Sequence, residues 1–149
     1  MIYTEMTRKA LNLMFEKHKD QKDRSGMPYV FHPYEVAKGM EDEITCTVAL
    51  LHDIVEDTDV TFDDLKEEEF PEEVINALKR MTHDKSVPYM DYVKNIAEDP
   101  IARKVKLADL KHNSDLSRLV TVSEKDLARR EKYEKAIAIL KEKELQNNV

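Results

Sequence analysis

Ile44-Thr45-Cys46-Thr47-Val48-Ala49-Leu50-Leu51-His52-Asp53-Ile54-Val55-Glu56-Asp57-Thr58 reads as a helix from about Ile44 to Asp57, ended by Thr58-Asp59. Helical turning is about 100° per residue. Ile44, Val48, Leu51 and Val55 therefore form an apolar stripe, and His52, Asp53, Glu56 and Asp57 share the neighbouring side. Three carboxylates and an imidazole fall within six positions, His52 to Asp57, beside an apolar run. A merely solvated face has no need of His-Asp here. A site that holds a metal and activates water does.

Working outward, the same periodicity predicts an all-α chain of about eight helices. Residues 3–20 carry Tyr3, Met6, Ala10, Leu13, Met14 and Lys17 at helical spacing, and residues 21–31 form a loop with Arg24-Ser25-Gly26 and Pro28-Tyr29. Pro33 suits the first position of a second helix, where a missing N–H costs nothing, and it should hold His32 extended at the helix entrance. A short helix includes Asp63-Asp64-Leu65. Pro71 opens a helix to Met81, Pro88 one to about Ala97, and Pro100 one to about Leu119. Ser123 followed by Asp126 matches a capping box for a last helix, 124 to about 144.

Composition narrows the class. A length of 149 residues suits one domain, 1–149, with a real core, since chains of this size bury about 68–70% of their unfolded surface. Two glycines and five prolines supply little turn chemistry for a many-stranded β fold. A lone cysteine, Cys46, excludes an internal disulfide framework and points to a reducing compartment. The absence of an 18-residue apolar run and of signal-peptide regions after Met1 predicts a cytoplasmic protein that does not use a membrane. A net charge of −7 argues against a nucleic-acid footprint but not against a small phosphorylated ligand, which needs only a few local cations. The oligomeric state stays open.

Two further residues extend the quoted cluster. His32 stands at a helix entrance, where it either packs on the loop or offers a ligand. Asp109 lies on the face of its helix that carries Val105 and Leu116. A carboxylate in an inward stripe is costly unless it is paired with a buried lysine or arginine, or bound to metal. His32, His52, Asp53 and Asp109 together give two imidazoles and two carboxylates from three helices, a set suited to six-coordinate Mn²⁺ or Fe²⁺. The second His-Asp pair, His83-Asp84, needs only the favourable interaction of a histidine with a helix C-terminus.

Three words carry a resemblance: Arg24-Ser25-Gly26-Met27-Pro28-Tyr29-Val30-Phe31-His32-Pro33, Ala49 to Thr58, and Val105-Lys106-Leu107-Ala108-Asp109-Leu110-Lys111-His112-Asn113. In order and spacing they resemble the HD-domain hydrolases of the Rel/Spo-homologue alarmone enzymes, over about residues 3–120, and the chain looks like a stand-alone small alarmone hydrolase. The resemblance implies that His32, His52, Asp53 and Asp109 hold one Mn²⁺ per chain. It also implies that Glu56 and Asp57 position and deprotonate water, and that Asn113 contacts the nucleotide. The expected reaction is hydrolysis of guanosine tetra- or pentaphosphate to pyrophosphate and GDP or GTP. Arg24, Ser25 and Lys106 are the further substrate-binding candidates.

The chain departs from the family pattern at Asp23, where an arginine that stacks on guanine is usual, and at Leu110, which replaces another arginine. These changes leave open a phosphohydrolase acting on another nucleotide, and a non-catalytic alarmone-binding protein is a third reading. If lost stacking is what Asp23 signifies, Asp23→Arg raises turnover of guanosine tetraphosphate.

Overall fold

The structure, a computed structural model, describes residues 1–147, and those residues form nine α-helices, one 3₁₀ turn and no strand. Helix α1 spans Glu5–His18 and starts at a reciprocal cap. Thr7 N donates to Thr4 Oγ1 at 3.2 Å, and Thr4 N to Thr7 Oγ1 at 2.8 Å. Helix α2 spans Phe31–Lys38. Here the expectation for Pro33 needs correction, because it is the third helical residue, and His32 is helical rather than extended. The His32 N–H donates to Tyr29 O at 2.9 Å, so the helix is already under way, and proline is tolerated anywhere in a first turn that needs no N–H partner.

Helix α3, Glu43–Leu51, is the centre of the molecule. Asp42 caps it by accepting from Thr45 N at 2.8 Å, and every residue from Thr45 to Leu51 is buried. It packs against α1, α2, α6 (Glu72–Met81) and α8 (Pro100–Asn113). A helix enclosed this way must be apolar all round, and Ala49, Leu50 and Leu51 are.

The quoted stretch is not one helix. It stops at Leu51, turns through His52 and Asp53, and resumes as the single-turn helix α4, Ile54–Asp57. Asp53 has φ −107° and ψ 3°, a conformation common at turns. The inserted turn raises the helix count from the expected eight to nine and places the His-Asp pair at a helix junction rather than inside a helix.

Helices α5, Phe62–Glu67, and α7, Tyr89–Ala97, complete the frame with α9, Glu124–Asn147. The Ser123–Asp126 box forms as expected, with Ser123 N donating to Asp126 Oδ2 at 2.9 Å and Asp126 N to Ser123 Oγ at 3.2 Å. Helix α9 covers α7 and α8 with Ala136 and Leu140 buried. Helix α8 ends at Asn113, short of the expected Leu119. Beyond it Asp115 Oδ1 accepts from Ser117 N at 3.0 Å and bends the chain into a 3₁₀ turn, Leu116–Arg118. No helix among the described residues is long and apolar enough to cross a membrane.

Leu50→Ala should cost about 2–5 kcal/mol in urea unfolding, because its fully buried site cannot collapse around the lost methyls. The exposed control Leu145→Ala should stay within about 0.5 kcal/mol. Equal effects would contradict the central place of α3.

Candidate active site

Three elements converge on one buried point: the first turn of α2, the end of α3 and the middle of α8. His32, His52 and Asp109 each present a ligand atom there, and these atoms lie within 4.8 Å of one another. His32 Nε2 is 2.8 Å, and His52 Nε2 3.3 Å, from Asp109 Oδ1. Asp53 adjoins the trio, its Oδ2 3.2 Å from His52 Nε2.

The tautomer of a neutral His52 follows from the carbonyl beside it. Nδ1 lies 2.6 Å from the Ala49 carbonyl, which can only accept, so in the neutral ring Nδ1 carries the proton and Nε2 a lone pair. That Nε2 is buried with no hydrogen-bond partner and faces two carboxylate oxygens. A lone pair against carboxylates repels unless a cation lies between them. His32 repeats the arrangement one step out. Its Nδ1 is 2.7 Å from His112 Nδ1, and the two rings stack with centroids 4.9 Å apart. If His32 Nδ1–H donates to His112, His32 Nε2 is also free to ligate. Burial, foremost, and the neighbouring His32 and Arg118 bring His112 down to about 4, so it stays neutral and able to accept. The donor set thus fits a divalent ion.

Asp109 reconciles the two expectations for it, a buried ion pair and a metal ligand. Oδ2 is 2.9 Å from Lys106 Nζ, and Oδ1 faces the histidines and accepts from Asn113 Nδ2 at 3.0 Å. Burial alone would raise the Asp109 carboxyl, but the Lys106 ammonium holds it well below the usual range. Asp53 goes the other way, pushed well up by burial, then by the Asp109 and Asp57 charges. Its Oδ2 also accepts a short hydrogen bond from the Tyr29 hydroxyl.

A cavity of about 580 Å³ opens beside this cluster. Tyr29, His32, Asp53 and Asp57 line its floor, with Arg24, Ser25 and Asn113 on its wall. Arg24 Nη1 lies 3.1 Å from Asp126 Oδ1 at the rim. Ser25 Oγ donates to Asp23 Oδ1 at 2.7 Å. Lys106 lies underneath, engaged with Asp109 and absent from the cavity wall, so it neutralises a carboxylate rather than reaching outward. Glu56 also stays off the wall, its Oε1 accepting from His83 N at 2.7 Å. Lys111 is exposed. Leu110, only 1% exposed, belongs to the core, so its departure from the family pattern does not alter the cavity.

Sequence reasoning missed Arg118 and Arg129, which give the wall two more guanidiniums, and Tyr133, which also lines the cavity. Arg118 stands in the 3₁₀ turn that helical periodicity had absorbed into α8. The others carry no local signal, because only the packing of α9 brings them to the site. Asp23 is the turn-former of the 23–28 loop. Its Oδ1 accepts from Ser25 N at 2.9 Å and Met27 N at 3.0 Å, and its Oδ2 lies 3.5 Å from Arg118 Nη2.

No family model matches the chain. The mouse guanosine-3′,5′-bis(diphosphate) 3′-pyrophosphohydrolase MESH1 is 34% identical over 146 residues, covering 89% of this chain and 81% of its own. The zebrafish MESH1 is 41% identical over 123 residues, covering 73% and 68%. The enzyme of that activity from Aquifex aeolicus is 38% identical over 120 residues, 72% of this chain but 17% of that longer protein. A solved structure, described as a metazoan ortholog of SpoT that hydrolyses ppGpp and plays a role in starvation responses, superposes with a TM-score of 0.73 at 28% identity. That alignment covers 96% of this chain and 87% of the other. With relatives of 34–41% identity that cover more than two thirds of the chain, and the same helical frame, the chain belongs to the family of guanosine-3′,5′-bis(diphosphate) 3′-pyrophosphohydrolases, which are hydrolytic enzymes.

Proposed function

We propose that this chain, as a single HD metallohydrolase domain in the cytoplasm, uses one Mn²⁺ to hydrolyse guanosine tetra- or pentaphosphate to pyrophosphate and GDP or GTP. The observation that carries the metal reading is the buried, partnerless Nε2 of His52 facing Asp53 and Asp109. The names of its relatives carry the substrate. Mn²⁺ suits a set of two imidazoles and two carboxylates with open positions for water.

In this reading His32, His52, Asp53 and Asp109 would hold the ion, which would supply a Lewis acid and lower the pKa of water. Asp57, on the cavity floor, is placed to take the proton of the attacking water, and Glu56 assists from its anchored place beside His83 N. The bond between phosphorus and the ribose 3′ oxygen breaks, and that oxygen leaves and is protonated. Arg24 and Ser25 bind phosphate at the wall with Asn113 nearby, and Arg118 and Arg129 add charge that tightens hydrogen bonds to an anionic ligand. Lys106 keeps Asp109 ionised without touching substrate.

A second reading, hydrolysis of another phosphorylated nucleotide, is favoured by Asp23. The Asp23–Arg118 pair occupies part of the wall where the resemblance leads one to expect a stacking arginine.

Asp53→Ala should abolish metal-dependent pyrophosphate release, and Asp57→Ala should lower kcat by about 10²–10⁴-fold, the range for removing a general base. Full activity in either variant contradicts these roles. Asp23→Arg, expected from sequence alone to raise turnover, should instead lower it, because it deletes the loop-closing carboxylate and sets a second cation beside Arg118. Assayed against a panel of nucleotides with and without Mn²⁺, a rise in guanosine tetraphosphate turnover would restore the stacking argument. Preference for a different nucleotide would favour the second reading.

A further inference from the structure

His18 closes α1 and is completely buried, yet none of the chemistry above uses it. Its Nδ1 lies 2.7 Å from Gln21 Oε1. An amide oxygen only accepts, so Nδ1 holds the proton and Nε2 is a lone pair, buried and without a protein partner. Burial, foremost, keeps this imidazole below its ordinary value, so it remains neutral. Engaging Oε1 decides which way the Gln21 amide faces: Nε2 is turned outward and donates to the main-chain oxygen of Asp57 at 2.9 Å.

That carbonyl is one of the acceptors left free at the C-terminal end of α4. Helix α4 is four residues long, and a single turn is intrinsically poor at holding itself together. The main chain of Gln21 makes two more links. Its N–H donates to His18 O at 3.0 Å, and its carbonyl accepts from Tyr29 N at 2.9 Å. Tyr29 in turn packs on His18, ring centroids 5.0 Å apart, and its hydroxyl bonds Asp53. One residue thus joins the end of α1 to the Asp57 turn on one side and to the partner of Asp53 on the other.

We propose that His18 and Gln21 form a positioning pair for the hydrolytic site, in which the neutral imidazole locks the Gln21 amide so that it pins the Asp57 turn and the loop segment at Tyr29 in register. The pair adds no charge beside Asp53 and Asp57, where a cationic anchor would compete with the ion. The proposal rests on the reading that Asp57 acts on water, and it makes His18 a positioning residue, not a catalytic one.

Four variants test it with Mn²⁺ present. Gln21→Glu still accepts from His18 but sets a carboxylate oxygen against the Asp57 carbonyl. His18→Leu removes the lock, His18→Asn restores a donor near Gln21, and Gln21→Met keeps length alone. Gln21→Glu, Gln21→Met and His18→Leu should lose about tenfold or more in kcat with KM within about twofold, the pattern of a lost transition-state alignment. His18→Asn should recover most of kcat. Amide hydrogen exchange at Asp57 and Thr58, measured on every variant, should quicken in His18→Leu and not in His18→Asn. Unchanged kcat and exchange in His18→Leu and Gln21→Glu would overturn the proposal. So would equal loss of kcat and thermal midpoint in His18→Leu and His18→Asn, which marks plain packing. Wild-type protein that turns over no guanosine tetraphosphate would count against the hydrolase reading instead, and the exchange result would still decide for or against the pair.

Discussion

The hydrogen bond from His52 Nδ1 to the Ala49 carbonyl fixes more of this site than any other single contact. It is local, made within the last turn of α3, and in the neutral ring it leaves the other nitrogen facing Asp53 and Asp109 as a bare acceptor. Burial also keeps water from solvating Nε2, which has no hydrogen-bond partner within the protein. Lys106 balances half of the opposing charge by binding Asp109 Oδ2, leaving Oδ1 to the two histidines. A buried group of this kind is costly when incomplete, which is the physical reason for a cation to bind there.

The rest of the fold holds that contact in place. Because α3 is enclosed by α1, α2, α6 and α8, its end is fixed in depth and direction. The turn at His52-Asp53 then leads the chain out, so that Asp53 is partly accessible and Asp57 reaches the cavity. A molecule of net charge −7 nonetheless offers an anionic ligand a cationic wall, because Arg24, Arg118 and Arg129 come to one cavity from a loop, a 3₁₀ turn and α9. Each is loosely paired with a carboxylate, Asp23 or Asp126, at 3.1–3.5 Å. Such partly exposed pairs add only modestly to stability.

How far the sequence can be read varies with the range of the interactions. The all-α class and most helix starts are legible because caps and prolines act over three or four residues, as at Ser123-Asp126 and Pro100. The grouping of His32, His52 and Asp109 is legible as a set of residue types, though its geometry is not, since it depends on α2, α3 and α8 meeting. The break at His52-Asp53 has no glycine or proline to announce it, and apolar periodicity runs straight through. His18 shows the same limit. Read along the chain it is an ordinary histidine at a helix end, and only the fold reveals that its ring is sealed in and bonded to the residue that reaches Asp57.

The most direct measurement is a Mn²⁺ titration followed by electron paramagnetic resonance, comparing wild type with His52→Asn. The asparagine keeps a donor near the Ala49 carbonyl and removes the Nε2 lone pair. Wild type should bind one Mn²⁺ per chain, and the variant, with its helical circular dichroism intact, should show no saturable site over the same range. Absence of saturable binding in wild type, or equally tight binding by His52→Asn, would contradict the account.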